Sequence, residues 1–117
     1  MNILFINSDT ALQQEFIEFS DEINATDYYS NSLIESISIL NENPIDIVIL
    51  KIGNLSDISV LKYIHDYYKN IKILISASEK FEEVLTIFKQ VQFEKINSPI
   101  RLTELKSHLM GSSIDLE

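Results

Sequence analysis

Apolar residues come in two alternating textures along this chain, short continuous runs and longer stretches spaced at three and four. The runs are Ile3-Leu4-Phe5-Ile6, Ile47-Val48-Ile49-Leu50, Ile71 to Ile75 and the shorter Phe93 to Ile96. Runs this short, rich in β-branched residues and bounded by turn signals, predict strands buried on both faces. Ala25 to Tyr29 is a weaker strand candidate. Between the runs, Leu12, Phe16, Phe19 and Ile23 share one helical face, with Gln13, Gln14, Glu15 and Glu18 off it. Leu33, Ile34, Ile37 and Leu40 predict a second inward face, and Ile58, Leu61, Ile64 and Tyr68 a third. Phe81, Val84, Leu85 and Phe88 mark a fourth helix, and Leu102, Leu105 and Leu109 a fifth.

Polar punctuation supports these boundaries. Asn7-Ser8-Asp9-Thr10 stops the first run with several possible helix caps. Ser32 stands three residues before Glu35, the spacing of a capping box. Asn41-Glu42-Asn43-Pro44 ends the second helix, because proline disfavours helical geometry in the residue before it. Ser56-Asp57 is placed to cap the third helix, and Asn70 to close it. Gly111-Ser112-Ser113 reads as a stop. Residues 1–110 thus form one expected domain and 111–117 a tail or linker. Leu116-Glu117 is either native or a vector remnant, and in the second case the natural protein continues further.

Five βα units with short connections predict an α/β fold: a parallel five-stranded sheet between two helical layers. The carboxyl ends of such strands are where ligands collect. Lys51 closes the most apolar run and stands at that end, followed by Ile52-Gly53-Asn54.

Composition narrows the function. The 117 residues suit one domain, and 45% apolar with 23% charged residues is ordinary for a globular protein. A net charge of −9 repels phosphate backbones and anionic lipid, so DNA contact would require a domain outside this chain. With no cysteine, disulfides and thiolate metal sites are excluded. No run approaches the roughly 20 apolar residues of a membrane span, and no signal peptide is evident, which makes the cytoplasm the expected compartment.

Several polar residues have ordinary explanations. His65 and His108 fall on different predicted helices with no third ligand near them in sequence, so they are expected on helix surfaces rather than on a metal. Tyr28-Tyr29 and Tyr67-Tyr68 suit the rim of a core. Glu79, Glu82 and Glu83 form a solvated face near a helix start. The absence of a glycine-rich loop after Ile6 argues against a flavin or nucleotide site.

Ile3-Leu4-Phe5-Ile6-Asn7-Ser8-Asp9, Pro44 to Lys51, Ile73-Leu74-Ile75-Ser76-Ala77 and Ile96-Asn97-Ser98-Pro99-Ile100 together resemble the receiver domain of two-component response regulators. The resemblance spans Asn2 to about Leu109 and implies a flavodoxin-like sandwich with strand order 2-1-3-4-5. In that family two acids at the end of the first strand hold magnesium, and an aspartate at the end of the third accepts phosphate. A serine or threonine followed by a small residue ends the fourth strand, and lysine-proline ends the fifth.

Carried over, the acid pair becomes Asn7 and Ser8, with Asp9 one position later, and the phosphate acceptor becomes Lys51. Ser98 replaces the lysine, and Lys95 falls at the aromatic switch position. Ser76, Ala77 and Pro99 fit. The segment after Lys51 lacks the usual proline and is about one residue short.

Phosphoryl transfer of this kind needs a carboxylate nucleophile, a hard cation on acidic ligands and a positive charge on the moving group. An ammonium at Lys51 supplies none of the first two. The family pocket, three acids and one lysine, sums to about −2 and is offset by magnesium; here Asp9 and Lys51 sum to zero. The expectation is a balanced pocket without metal or cofactor, Lys51 bonding Asp9, Ser76 or backbone carbonyls. The bland alternative is a lysine that points to solvent.

The implied function is a pseudo-receiver, not an enzyme, that works by protein contact without phosphorylation. It would serve as the regulatory half of a transcription regulator or as a stand-alone adaptor for a kinase or effector; a flavodoxin-like enzyme is the remote alternative. In the family the contact face is the fourth helix, fifth strand and fifth helix, often as a symmetric dimer. Here that face would carry Glu79, Lys80, Glu83, Lys89, Glu94, Lys95, Arg101, Glu104 and Lys106.

Overall fold

Five short strands lie side by side in the order β2-β1-β3-β4-β5, every neighbouring pair parallel. They are β1 (Asn2–Ile6), β2 (Thr26–Ser30), β3 (Ile47–Ile52), β4 (Lys72–Ala77) and β5 (Glu94–Ile96). The computed structural model describes residues 1–7, 10–77, 79–81, 85, 93–96 and 102–110. Helices α1 (Thr10–Glu22), α2 (Leu33–Glu42) and α3 (Ser56–Tyr67) alternate with the first three strands. A single 3-10 turn (Glu79–Phe81) follows β4, and a C-terminal helix (Leu102–Met110) follows β5. Of the predicted fourth helix, Phe81 lies in that turn, Leu85 is helical and buried, and Val84 and Phe88 fall outside the described residues.

The pleat explains why the central strands read as unbroken apolar runs. Alternate residues must face opposite layers, and both layers are covered. On one face Leu4, Ile6, Val48, Leu50, Ile73 and Ile75 join Leu40, Leu61 and Ile64 from α2 and α3. On the other, Ile3, Phe5, Ile47, Ile49, Leu74 and Ile96 join Phe16 from α1 and Leu105 from the C-terminal helix. Phe5 stacks on Phe16, ring centroids 4.7 Å apart, and on Tyr29 of the edge strand at 5.1 Å. Each fully buried side chain of this size contributes about 1.5–3 kcal/mol from burial, so β1 and β3 anchor both cores.

The boundaries largely follow the polar signals. Ser32 caps α2, its Oγ accepting from the Glu35 amide at 3.1 Å, while the Glu35 carboxylate reaches back to the Asn31 amide at 3.3 Å. The helix ends at Glu42, and Asn43, ahead of Pro44, is extended.

The inward face of α2 differs from the predicted one. Ile34 is 81% exposed, whereas Ser36 and Leu40 are buried and Leu33 packs against the core. Positions 33, 36 and 40 follow the helical repeat; position 34 is rotated by about 100° from 33. The predicted face missed Ser36 because a serine carries no apolar signal. Its hydroxyl is satisfied by Ser30 Oγ and the Ser32 carbonyl, both at 2.7 Å.

No described helix is long and apolar enough to cross a membrane.

Candidate functional site: the carboxyl ends of the strands

The parallel register brings Asn7, Lys51 and Ser76 to one end of the sheet. Ile6 pairs with Leu50, so Asn7 follows beside Lys51, and Lys51 pairs with Ser76, which in turn pairs with Ile96. Paired residues of parallel strands point to the same face, which sets Lys51 and Ser76 side by side. Ser76 is buried at 1% exposure, and Lys51 is half-buried. Lys51 does not end its strand as the pattern suggests; β3 continues through Ile52, whose side chain returns to the core.

Asn7 has φ of +61°, in the left-handed region that asparagine tolerates better than most side chains. This turn redirects the chain out of β1, with the Asn7 amide N–H donating to the Ser30 carbonyl at 2.9 Å. Its side-chain Nδ2 donates twice, to the Lys51 carbonyl at 3.2 Å and to Asp57 Oδ1 at 2.8 Å.

Asp57 is the residue that sequence reasoning placed in the wrong role. It lies in the first turn of α3 and is only 9% exposed. Rather than capping the helix, its Oδ2 turns back to the loop, accepting from Gly53 N at 2.8 Å and Asn54 N at 3.0 Å. The N-cap position is Leu55, which makes no side-chain cap bond. One buried carboxylate therefore ties the ends of β1 and β3 to the start of α3. The available signal was an acid four residues after a glycine at a strand end. That pattern equally fits a helix start.

The Lys51 ammonium has no hydrogen-bond or ion-pair partner among the described residues; its carbonyl is the bonded group. Ser8, Asp9, Ser98 and Pro99, and with them the expected Lys51–Asp9 pair, lie outside the described residues. Among the described residues no three of His, Asp and Glu cluster. The donors that meet at the strand ends are an amide, a hydroxyl and an ammonium, with the nearby Asp57 carboxylate already taken by three N–H groups. A magnesium ion prefers free carboxylate oxygens, and this described set does not fit one.

Of the expected contact face, Lys80, Glu94, Lys95, Glu104 and Lys106 have described side chains. Glu94 accepts from His108 at 2.7 Å and lies 3.7 Å from Lys72. Lys106 pairs with Glu22 at 3.8 Å and sits over the Phe19 ring, and Lys80 sits over Phe81. Glu83, Lys89 and Arg101, with the side chain of Glu79, are outside the described residues.

No protein-family model and no curated protein sequence matches the chain. Solved structures do. The receiver domain of the TMAO respiratory system response regulator TorR superposes with a TM-score of 0.80 at 11% identity, covering 99% of this chain and 98% of its own. The fold is that of a response regulator receiver domain. The receiver domain of the Francisella response regulator 1452 matches with a TM-score of 0.75 at 17% identity, over 99% of this chain and 98% of that one. A third receiver domain, from the Saccharomyces cerevisiae response regulator Ssk1, matches at 0.75 and 16%, over 94% and 86%; it was crystallised with the histidine phosphotransfer protein Ypd1.

Proposed function

We propose that this chain is a signalling module of the receiver type that works without phosphorylation, through contacts with protein partners. The observation that carries the proposal is Lys51 at the carboxyl end of β3, beside Asn7 at the end of β1. An amide and an ammonium take the places of the carboxylates on which aspartyl phosphorylation depends. The Asn7–Asp57 network offers a reason for the site to persist without chemistry, because it joins two strand ends to the start of α3.

With the acceptor gone, output rests on the exterior. The favoured arrangement is the regulatory half of a transcription regulator, contacting a partner or a second copy through the predicted fourth helix, β5 and the C-terminal helix, with DNA bound by another domain. The module itself is regulatory, not enzymatic, and acts in the cytoplasm. Incubation with acetyl phosphate and magnesium tests the core of this reading: intact mass and amide NMR spectra should not change. A stable, acid-labile phosphoryl adduct would overturn it. Sedimentation velocity tests the dimer, which a monomer at high concentration, insensitive to salt, would rule out.

A further inference from the structure

At the opposite end of the sheet a cleft of about 700 Å³ opens between the last turn of α3 and the starts of β4 and β5. Its size falls in the range of roughly 300–1,000 Å³ typical of small-molecule sites. Its character is unlike the rest of an acidic chain. Ile71, Ile73, Tyr68 and Phe93 give it an apolar floor with two half-buried aromatic rings, and all four pack against the larger core cluster. His65, Lys69 and Lys72 stand on its rim.

The charges around this cleft are unequally committed. Its one lining carboxylate, Glu94, is engaged by His108 at 2.7 Å and Lys72 at 3.7 Å, and Lys72 Nζ also donates to the His108 carbonyl at 3.0 Å. Lys69 is exposed and His65 half-buried, and neither has a hydrogen-bond or ion-pair partner among the described residues. An ammonium and an imidazole, neither bonded among the described residues, therefore line the same cleft as two aromatic rings, while the neighbouring Glu94 carboxylate is already engaged. Phosphate or carboxylate alone would leave the rings without a partner, and a neutral ring would gain nothing from Lys69. A flat ring bearing an anion satisfies both halves.

We infer that this cleft binds a small aromatic anion, its ring against Tyr68 and Phe93 and its charge beside Lys69 and His65. The inference is independent of how the opposite end of the sheet signals.

The test uses the full chain and 8-anilinonaphthalene-1-sulfonate, read by fluorescence and by amide chemical shifts. Saturable one-to-one binding is expected, with shifts at Asn70, Lys72 and Phe93. Lys69→Glu should weaken it by about tenfold and Lys69→Gln by less, as loss of a charged hydrogen-bonding partner predicts. Both substitutions are at an exposed turn position, and a thermal melt confirms that the fold is kept. Neutral N-phenyl-1-naphthylamine should bind far more weakly. Competition with 1-naphthyl phosphate and naphthalene-1-carboxylate identifies the anion: displacement by either supports the inference, and the tighter one names the source. Unsaturable binding, shifts elsewhere on the protein, equal affinity for the neutral probe, or no response to Lys69→Glu would each overturn it.

Discussion

Replacing Asp57 by alanine removes the acceptor of three hydrogen bonds, from Asn7 Nδ2 at 2.8 Å, Gly53 N at 2.8 Å and Asn54 N at 3.0 Å. Hydrogen bonds to a charged group contribute about 1.5–3 kcal/mol each, and they do not simply add. Gly53 and Asn54 are exposed, so water takes up their amides in the variant, and the full sum is not lost. Asn7 is half-buried beneath the β3 end and recovers less. The expected net loss is about 2–4 kcal/mol. For 117 residues, an unfolding entropy of roughly 2.1 cal/mol/K per residue converts each kcal/mol into about 4 °C of Tm. Urea unfolding followed by circular dichroism gives the first number and calorimetry the second. Asp57→Asn, which keeps the shape but swaps one acceptor for a donor, should cost about half as much. The network itself is tested by a double-mutant cycle with Asn7→Gly, chosen because glycine keeps the positive φ without strain. A coupling above about 0.5 kcal/mol is expected. A loss below about 1 kcal/mol for Asp57→Ala, or strict additivity with Asn7→Gly, would refute the claim that this carboxylate ties the strand ends together.

Three further outcomes follow from other parts of the molecule. Burial, then the hydrogen bond from its hydroxyl to Asp27 Oδ2 at 2.9 Å and the Asp27 charge, push the Tyr29 phenol well above its usual range. A raised folded-state pKa makes its stabilisation complete below about pH 10, the unfolded value, and lost as pH climbs through the folded value; in an ultraviolet titration Tyr29 should ionise above the usual tyrosine range, and a Tyr29→Phe variant with an unchanged titration curve there would contradict this. Lys51→Asp should not create a magnesium site detectable by calorimetry, because Asn7 and Ser76 bring no carboxylate to the neighbouring strand ends; saturable binding with unchanged stability would show the pocket still fits the ion. Ser32→Ala should cost about 1 kcal/mol in urea unfolding through loss of the α2 cap, and an unchanged midpoint would mean the Glu35 amide is satisfied otherwise.

How much was legible depends on whether a residue's signal is local. The strands β1, β3 and β4 were readable because a strand buried on both faces is apolar along its central positions, and no described helix produces such a run. Alternation of strands and helices then restricted the topology to a parallel sheet, and the resemblance of its segments supplied the order that the structure has. The Ser32 cap was equally local, donor and acceptor lying three residues apart. The α2 face failed at Ile34 and Ser36, where hydrophobicity and position disagree and geometry prevails.

The sequence by itself determined that positions 7, 8 and 51 carry an amide, a hydroxyl and an ammonium rather than carboxylates; chemistry is a property of residue type, and no fold restores an absent group. Only tertiary structure decided what stands in its place. Asn7 and Asp57 are fifty residues apart, and their bond exists because β1 and β3 pair in one register and α3 starts beside them. The cleft at the far end was hidden for the same reason, since Lys69 and Phe93 become neighbours only when β5 pairs with β4. Hydrophobic patterning is written every two or four residues, whereas a site is written by the sheet that brings distant residues together.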